Sequence, residues 1–199
     1  MTSIPSAAPT ITGAVASVSI SGAVTEAMSE EDVEAISNEL AEIYGVDPLD
    51  VETTVDYVAS GTLDVSIPEG VSEADVIAAL EESISDALGV HAKDVVVTID
   101  ETGEVRYQVT GTTYEAAEAI QTAASDESFA SKVTSLLNDG DSGVVVDNVD
   151  SDAEIDVVIS ATVDTTDATG TVDRDDAIED LTSSYGLTNS KSQGTFLKG

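Results

Sequence analysis

The side chains that most often do chemistry are scarce in this chain, with one exception. Among 199 residues there is a single histidine, His91, and no cysteine. Ser-His-Asp and Cys-His nucleophilic arrangements and thiolate or multi-histidine zinc sites therefore lack the residues to form. His91 lies in Leu88-Gly89-Val90-His91-Ala92-Lys93-Asp94-Val95, at the place where the similar stretch Tyr44-Gly45-Val46-Asp47-Pro48-Leu49-Asp50-Val51 has Asp47. A histidine exchangeable with an aspartate reads as an exposed turn residue. The glycines of Gly140-Asp141-Ser142-Gly143 and of Thr169-Gly170-Thr171 match neither nucleotide fingerprint, so no phosphate cradle is expected.

Carboxylates are the exception: 40 acidic against 6 basic residues give a net charge of −34. Such abundance produces acid pairs at nearly every spacing, and a glycosidase-type pair needs a sugar cleft usually lined with aromatics. With no Trp, five Tyr and two Phe, that cleft is not expected, nor is catalysis of any kind. Hard oxygen ligands suit calcium, and three acid-rich stretches offer them: Asp139-Gly140-Asp141-Ser142-Gly143, Asp147-Asn148-Val149-Asp150-Ser151-Asp152 and Asp164-Thr165-Thr166-Asp167. None has the twelve-residue spacing of an EF-hand or its terminal bidentate Glu. The candidate metal ligands are Asp139, Asp141, Asp147, Asp150 and Asp152; weak, diffuse calcium association is expected, and no other cofactor.

The charge also excludes partners. Nucleic acid binding depends on clustered Lys and Arg facing phosphates, and anionic membrane surfaces make the same demand. No apolar run approaches the roughly 20 residues of a membrane span, so membrane insertion is not expected. The start of the chain lacks a basic n-region and a continuous apolar core and does not read as an intact signal peptide. Charge is unevenly placed: residues 1–25 carry none, all 40 acids fall between Glu26 and Asp180, and the last nineteen residues carry only Lys191 and Lys198.

Helices and strands must position whatever these residues do. Val33, Ile36, Leu40 and Ile43 fall at helical spacing, as do Ile77, Leu80, Ile84 and Leu88, and Ile178, Leu181 and Tyr185. Ser29 and Ser72 are suited to N-cap the first two, with acids following at the positive end of the helix dipole. A third helix is expected at about 114–137, interrupted near Ser125-Asp126. Between helices the period switches to two, as in Val51/Thr53/Val55/Tyr57, Leu63/Val65/Ile67, Val95/Val97/Ile99 and Val105/Tyr107/Val109, which marks sheets with one face on a core. The chain thus reads as four consecutive β-α-β units, roughly 15–58, 61–100, 104–149 and 154–197. The expected fold class is α+β, two tandem ferredoxin-like βαββαβ sandwiches: a leader at 1–13, one domain at 14–101 and a second at 102–199 with a basic tail. The alternative is one continuous antiparallel sheet with helices on one face.

Internal similarity supports the repeat. Ser29-Glu30-Glu31-Asp32-Val33 with Tyr44-Gly45-Val46 and Asp50-Val51 lines up with Ser72-Glu73-Ala74-Asp75-Val76 with Leu88-Gly89-Val90 and Asp94-Val95. This pattern resembles the ferredoxin-like, SEA-type modules repeated in secreted and surface proteins of algae and other protists. The resemblance implies extracellular display, adhesion, or construction of filaments and extrusive organelles. Self-cleaving SEA modules use a Gly-Ser-Val-Val-Val turn; here Ser142-Gly143-Val144-Val145-Val146 places the serine before the glycine, so self-cleavage is not expected.

The uncharged, β-prone segment from Ile11 to Val24 is a candidate for adding to the sheet edge of another copy, with Val15, Val18, Ile20 and Val24 as assembly residues. Lys191 and Lys198 are candidates for docking the tail against an acidic neighbour. The functional expectation is a non-catalytic structural subunit, extracellular or in a secretory organelle, whose partners are copies of itself or related modules. The alternative is a monomeric acidic calcium- or cation-binding secreted protein. A halophilic environment also accounts for the charge.

Overall fold

The computed structural model describes residues 15–67, 70–101, 103–139, 144–166, 181, 183–185 and 187. Helices α1 (Glu30–Tyr44) and α2 (Glu73–Leu88) begin and end on the residues that repeat in the sequence. Ser29 accepts the Asp32 backbone N–H at 3.1 Å while donating its hydroxyl to the Asp32 carboxylate at 2.6 Å. Ser72 and Asp75 do the same at 3.2 and 2.6 Å. Each side chain satisfies an N–H that the helix itself cannot. At the other end Gly45 and Gly89 take left-handed backbones, φ 67° and 71°. The following Val46 and Val90 donate back to Ala41 and Ser85, each at 3.0 Å, which closes the last turn. Short 3-10 turns at Pro48–Asp50 and Ala92–Asp94 then lead into β2 (Val51–Ser66) and β3 (Val95–Ile99).

The remaining elements are β1 (Val15–Val24), β4 (Val105–Gly111), α3 (Tyr114–Ala124), α4 (Phe129–Asp139) and β5 (Val145–Asp164). The break between α3 and α4 falls at the expected place. There the Asp126 carboxylate accepts the Ser128 N–H and its carbonyl accepts the Phe129 N–H, both at 2.8 Å. The described strands form one sheet in the order β1-β5-β2-β4-β3, so the chain is an α+β protein.

Two expected strand breaks, near residues 59–60 and 150–153, are absent: β2 runs uninterrupted for 16 residues and β5 for 20. Gly61, beside the first of these expected breaks, is a contact glycine. It faces Tyr107 of β4 in register. A Cβ at Gly61 would stand 2.4 Å from the Asp150 carbonyl oxygen and 2.6 Å from Tyr107 Oη. The missing side chain lets an aromatic ring and a neighbouring backbone close over the strand without stopping it. Thr54 donates to the Ser160 carbonyl at 3.3 Å and Ser66 to the Asp147 carboxylate at 2.8 Å. Residue numbers fall along β5 as they rise along β2, so these strands are antiparallel.

Contacts divide the chain into two compact units, Met1–Ser21 with Met28–Thr54 and Ile159–Gly199, and Gly22–Ala27 with Val55–Val158. In the first, β1 and the end of β5 bury Val18, Ile20, Ile159 and Val163, and α1 buries Ile36 and Leu40. The second unit runs strand-helix-strand-strand-helices-strand, with its strands ordered β5-β2-β4-β3. Alternate residues Leu63, Val97, Val105 and Tyr107 share one core with Leu80 and Ile84 of α2 and Phe129 and Val133 of α4, so the helices cover one sheet face. Burying each of these large side chains stabilises by about 1.5–3 kcal/mol. The division expected near residue 102 falls in the β3–β4 hairpin, closed by Asp100 and Glu104 at 3.0 Å, inside this unit.

Candidate functional site

The described sheet ends in β1 and β3. In β1 the period-two pattern resolves cleanly. Val18 and Ile20, 3% and 2% exposed, belong to their own unit's core, whereas Ser17 and Ser19 face solvent. Of the proposed assembly residues, Val15 is 53% exposed and Val24 half-buried. Val18 and Ile20 therefore hold the strand in place, while Val15, Ser17 and Ser19 are exposed. Lys191 and Lys198 lie outside the described residues.

The β3 edge is built differently. Val95 and Val97 point into the core and pair with Val109 and Tyr107, while Val96 stays 47% exposed. The Val97 backbone N–H donates to Oε1 of Glu81, on α2, at 3.2 Å. Glu81 was not singled out in the sequence. The available signal was an acid four residues after Ile77, on the flank of the apolar stripe that packs α2. Around β3 stand Lys93, paired with Asp94 at 3.6 Å, and Arg106, paired with Glu104 at 3.4 Å. His91 is exposed at the start of the second 3-10 turn and makes no side-chain capping bond.

The candidate calcium ligands are not brought together. Asp147 is exposed and bound to Ser66, and Asp150 is exposed further along β5. Asp141 and the side chains of Asp139 and Asp152 lie outside the described residues. Among the described residues no three acidic or histidine side chains form a group that could hold a metal ion.

An open recess of about 520 Å³ lies between α3 and α4, lined by Glu115, Glu118, Thr122, Asp126 and Lys132 among others. The Ser128 hydroxyl and N–H hold the Asp126 carboxyl below its usual pKa. Thr166 does the same for Asp164. In the other unit, burial and the carboxylates of Glu39 and Asp32 raise the Tyr185 phenol. The two lowered carboxyls are turn and cap groups at the surface, stabilised as anions by local donors. Comparison with protein-family models, with curated proteins and with solved structures found no match to this chain.

Proposed function

We propose that this chain is a non-catalytic structural subunit that self-assembles through its strand edges, in an extracellular or extrusive filament. The observation that carries the reading is β1. It is ten residues long, contains no charge and no proline, and stands at the end of the described sheet. Edge strands in proteins that remain apart are usually guarded by Lys, Pro or an inward charge, because their open N–H and C=O rows recruit other strands. β1 has none of these guards. The strand order of the second unit supports its reading as a ferredoxin-like sandwich.

The alternative, an acidic cation-binding protein, draws on the net charge of −34 set against two ion pairs among the described residues. Sedimentation velocity and electron microscopy at 0.5 M NaCl separate the two. Wild-type chain should form ordered oligomers or filaments, and Ser17→Glu/Ser19→Glu, which adds charge at exposed positions of β1, should remain monomeric with unchanged melting. A wild-type chain that stays dispersed, or a double variant that assembles equally well, refutes assembly through β1.

A further inference from the structure

We infer that the second unit carries its own edge guards: Glu81 of α2 closes β3 at Val97 and Thr134 of α4 closes the start of β5 at Val146, so that both strands resist pairing with a strand of another molecule. The guards stand on this geometry alone; only their consequence for assembly rests on the reading above.

The first guard is at β3, which is five residues long. Val95 and Val97 stand two apart, so their N–H groups point to the same side of the strand. The Val95 N–H goes back to the Ala92 carbonyl of the preceding 3-10 turn, and the Val97 N–H goes to Oε1 of Glu81 at 3.2 Å. Both groups point off the side that β4 does not cover, and both are taken within the chain. Outward N–H groups of this kind are what an incoming strand pairs with. A second guard lies at β5. The Thr134 hydroxyl donates to the Val146 carbonyl at 3.1 Å and accepts the Val146 N–H at 3.3 Å. In an antiparallel ladder a residue exchanges this same pair of bonds with the residue opposite it. One hydroxyl of α4 does what a further strand would do.

Each guard comes from the helix that leads into the guarded strand, 16 residues before Val97 and 12 before Val146. It therefore forms within its own helix-strand unit and needs no distant element. The internal repeat shows that the carboxylate is particular to β3. Glu81 and Val97 stand eight residues either side of Gly89, and the residues eight either side of Gly45 are Ser37 and Thr53. There the two hydroxyls bond each other at 2.8 Å. Under the assembly reading, Val97 and Val146 take no part in joining copies until a guard is removed.

The test reads amide exchange and association in the Ser17→Glu/Ser19→Glu background, where assembly through β1 is blocked. Glu81→Ser installs the residue that the first repeat has at that place. The Val97 amide of this variant should exchange roughly tenfold faster by NMR, as expected for loss of one charge-assisted hydrogen bond, with the Val95 amide unchanged. Thr134→Val should speed the Val146 amide in the same way. Sedimentation velocity at 0.5 M NaCl should then show each variant self-associating where the background is monomeric. Glu81→Gln and Thr134→Ser keep the acceptor and the hydroxyl and should behave as the background in both measurements, which separates a guard from general destabilisation. Unchanged exchange at Val97 and Val146, variants that stay monomeric in salt, or conservative variants that associate equally well overturn the guards. A background that already assembles overturns assembly through β1 instead, and exchange on the dilute monomer still decides the guards.

Discussion

Replacing Gly61 by alanine tests whether β2 is one continuous strand pressed between a ring and a backbone. A Cβ there would meet the Asp150 carbonyl oxygen at 2.4 Å, Tyr107 Oη at 2.6 Å and Tyr107 Cε1 at 2.8 Å. None of these can retreat easily: one is backbone of the adjoining strand, and Tyr107 is fully buried, its ring 6.3 Å from that of Phe129. Overpacking a filled interior costs about 1–3 kcal/mol, and a clash with backbone belongs at the upper end. Alanine reduces the freedom of the unfolded chain, which offsets about 0.4–1 kcal/mol. The net expectation is a loss of about 2 kcal/mol, or a fall of about 4–8 °C in Tm for a chain of this size.

The assay is urea and thermal unfolding followed by circular dichroism, run as a double-mutant cycle with Tyr107→Phe. That partner removes the hydroxyl from the clash and leaves the Asp150 carbonyl in place. The double variant should therefore lose less than the sum of the single losses, by about 0.5–1 kcal/mol. A glycine needed only for a turn would be insensitive to Tyr107. A Gly61→Ala protein that melts at or above wild type, or strictly additive losses, refutes the contact role.

Two further predictions concern charge. Raising NaCl from 10 mM to 1 M should raise Tm by several degrees, because screening relieves the self-repulsion of a chain of net charge −34; CaCl2 and MgCl2 at equal concentration should act alike, and a calcium-specific shift with defined stoichiometry in calorimetry would show an organised site instead. The Asp126 carboxyl should titrate below its ordinary 3.8 by NMR, so its hydrogen bonds to Ser128 stabilise the fold above that pH and are lost as pH falls through the lowered value; Ser128→Ala should move the titration upward, and an unmoved titration refutes the assignment.

What was legible in the sequence was whatever local chemistry decides. Ser29 and Ser72 read as N-caps because the orphan groups of a helix terminus have few other solutions, and the structure uses both so, with Gly45 and Gly89 closing the same two helices. The break between α3 and α4 was legible for the same reason, in the Ser125-Asp126 pair. Gly61 was not, because a glycine that permits a turn and one that admits a neighbouring ring look alike until the partner strand is known. The missed continuity of β2 lies beside that glycine, while that of β5 lies in the acid-rich stretch Asp147–Asp152, which offered oxygen ligands rather than a strand pattern. Glu81 escaped because its role depends on β3 lying beside α2 at the edge of the sheet, a fact of strand order. Val58, which alternation with Tyr57 would turn outward, is only 7% exposed, whereas Val96 and Val145 are 47% and 37% exposed.

The excess of acid and the uncharged terminal strands make sense together. Among the described strands, β1 and β3 carry no charge, whereas β2, β4 and β5 do. In the proposed assembly, protection against premature edge pairing would be global: the repulsion between copies acts across a screening length of about 30 Å at 0.01 M salt and about 8 Å at 0.15 M. Under that scheme the edges need no guard of their own at low ionic strength. Rising salt or divalent cations lower the barrier without altering the strands. The Glu81–Val97 bond adds a local guard at the β3 edge. The proposed assembly, opposed by body charge, would then be switched by the ionic medium.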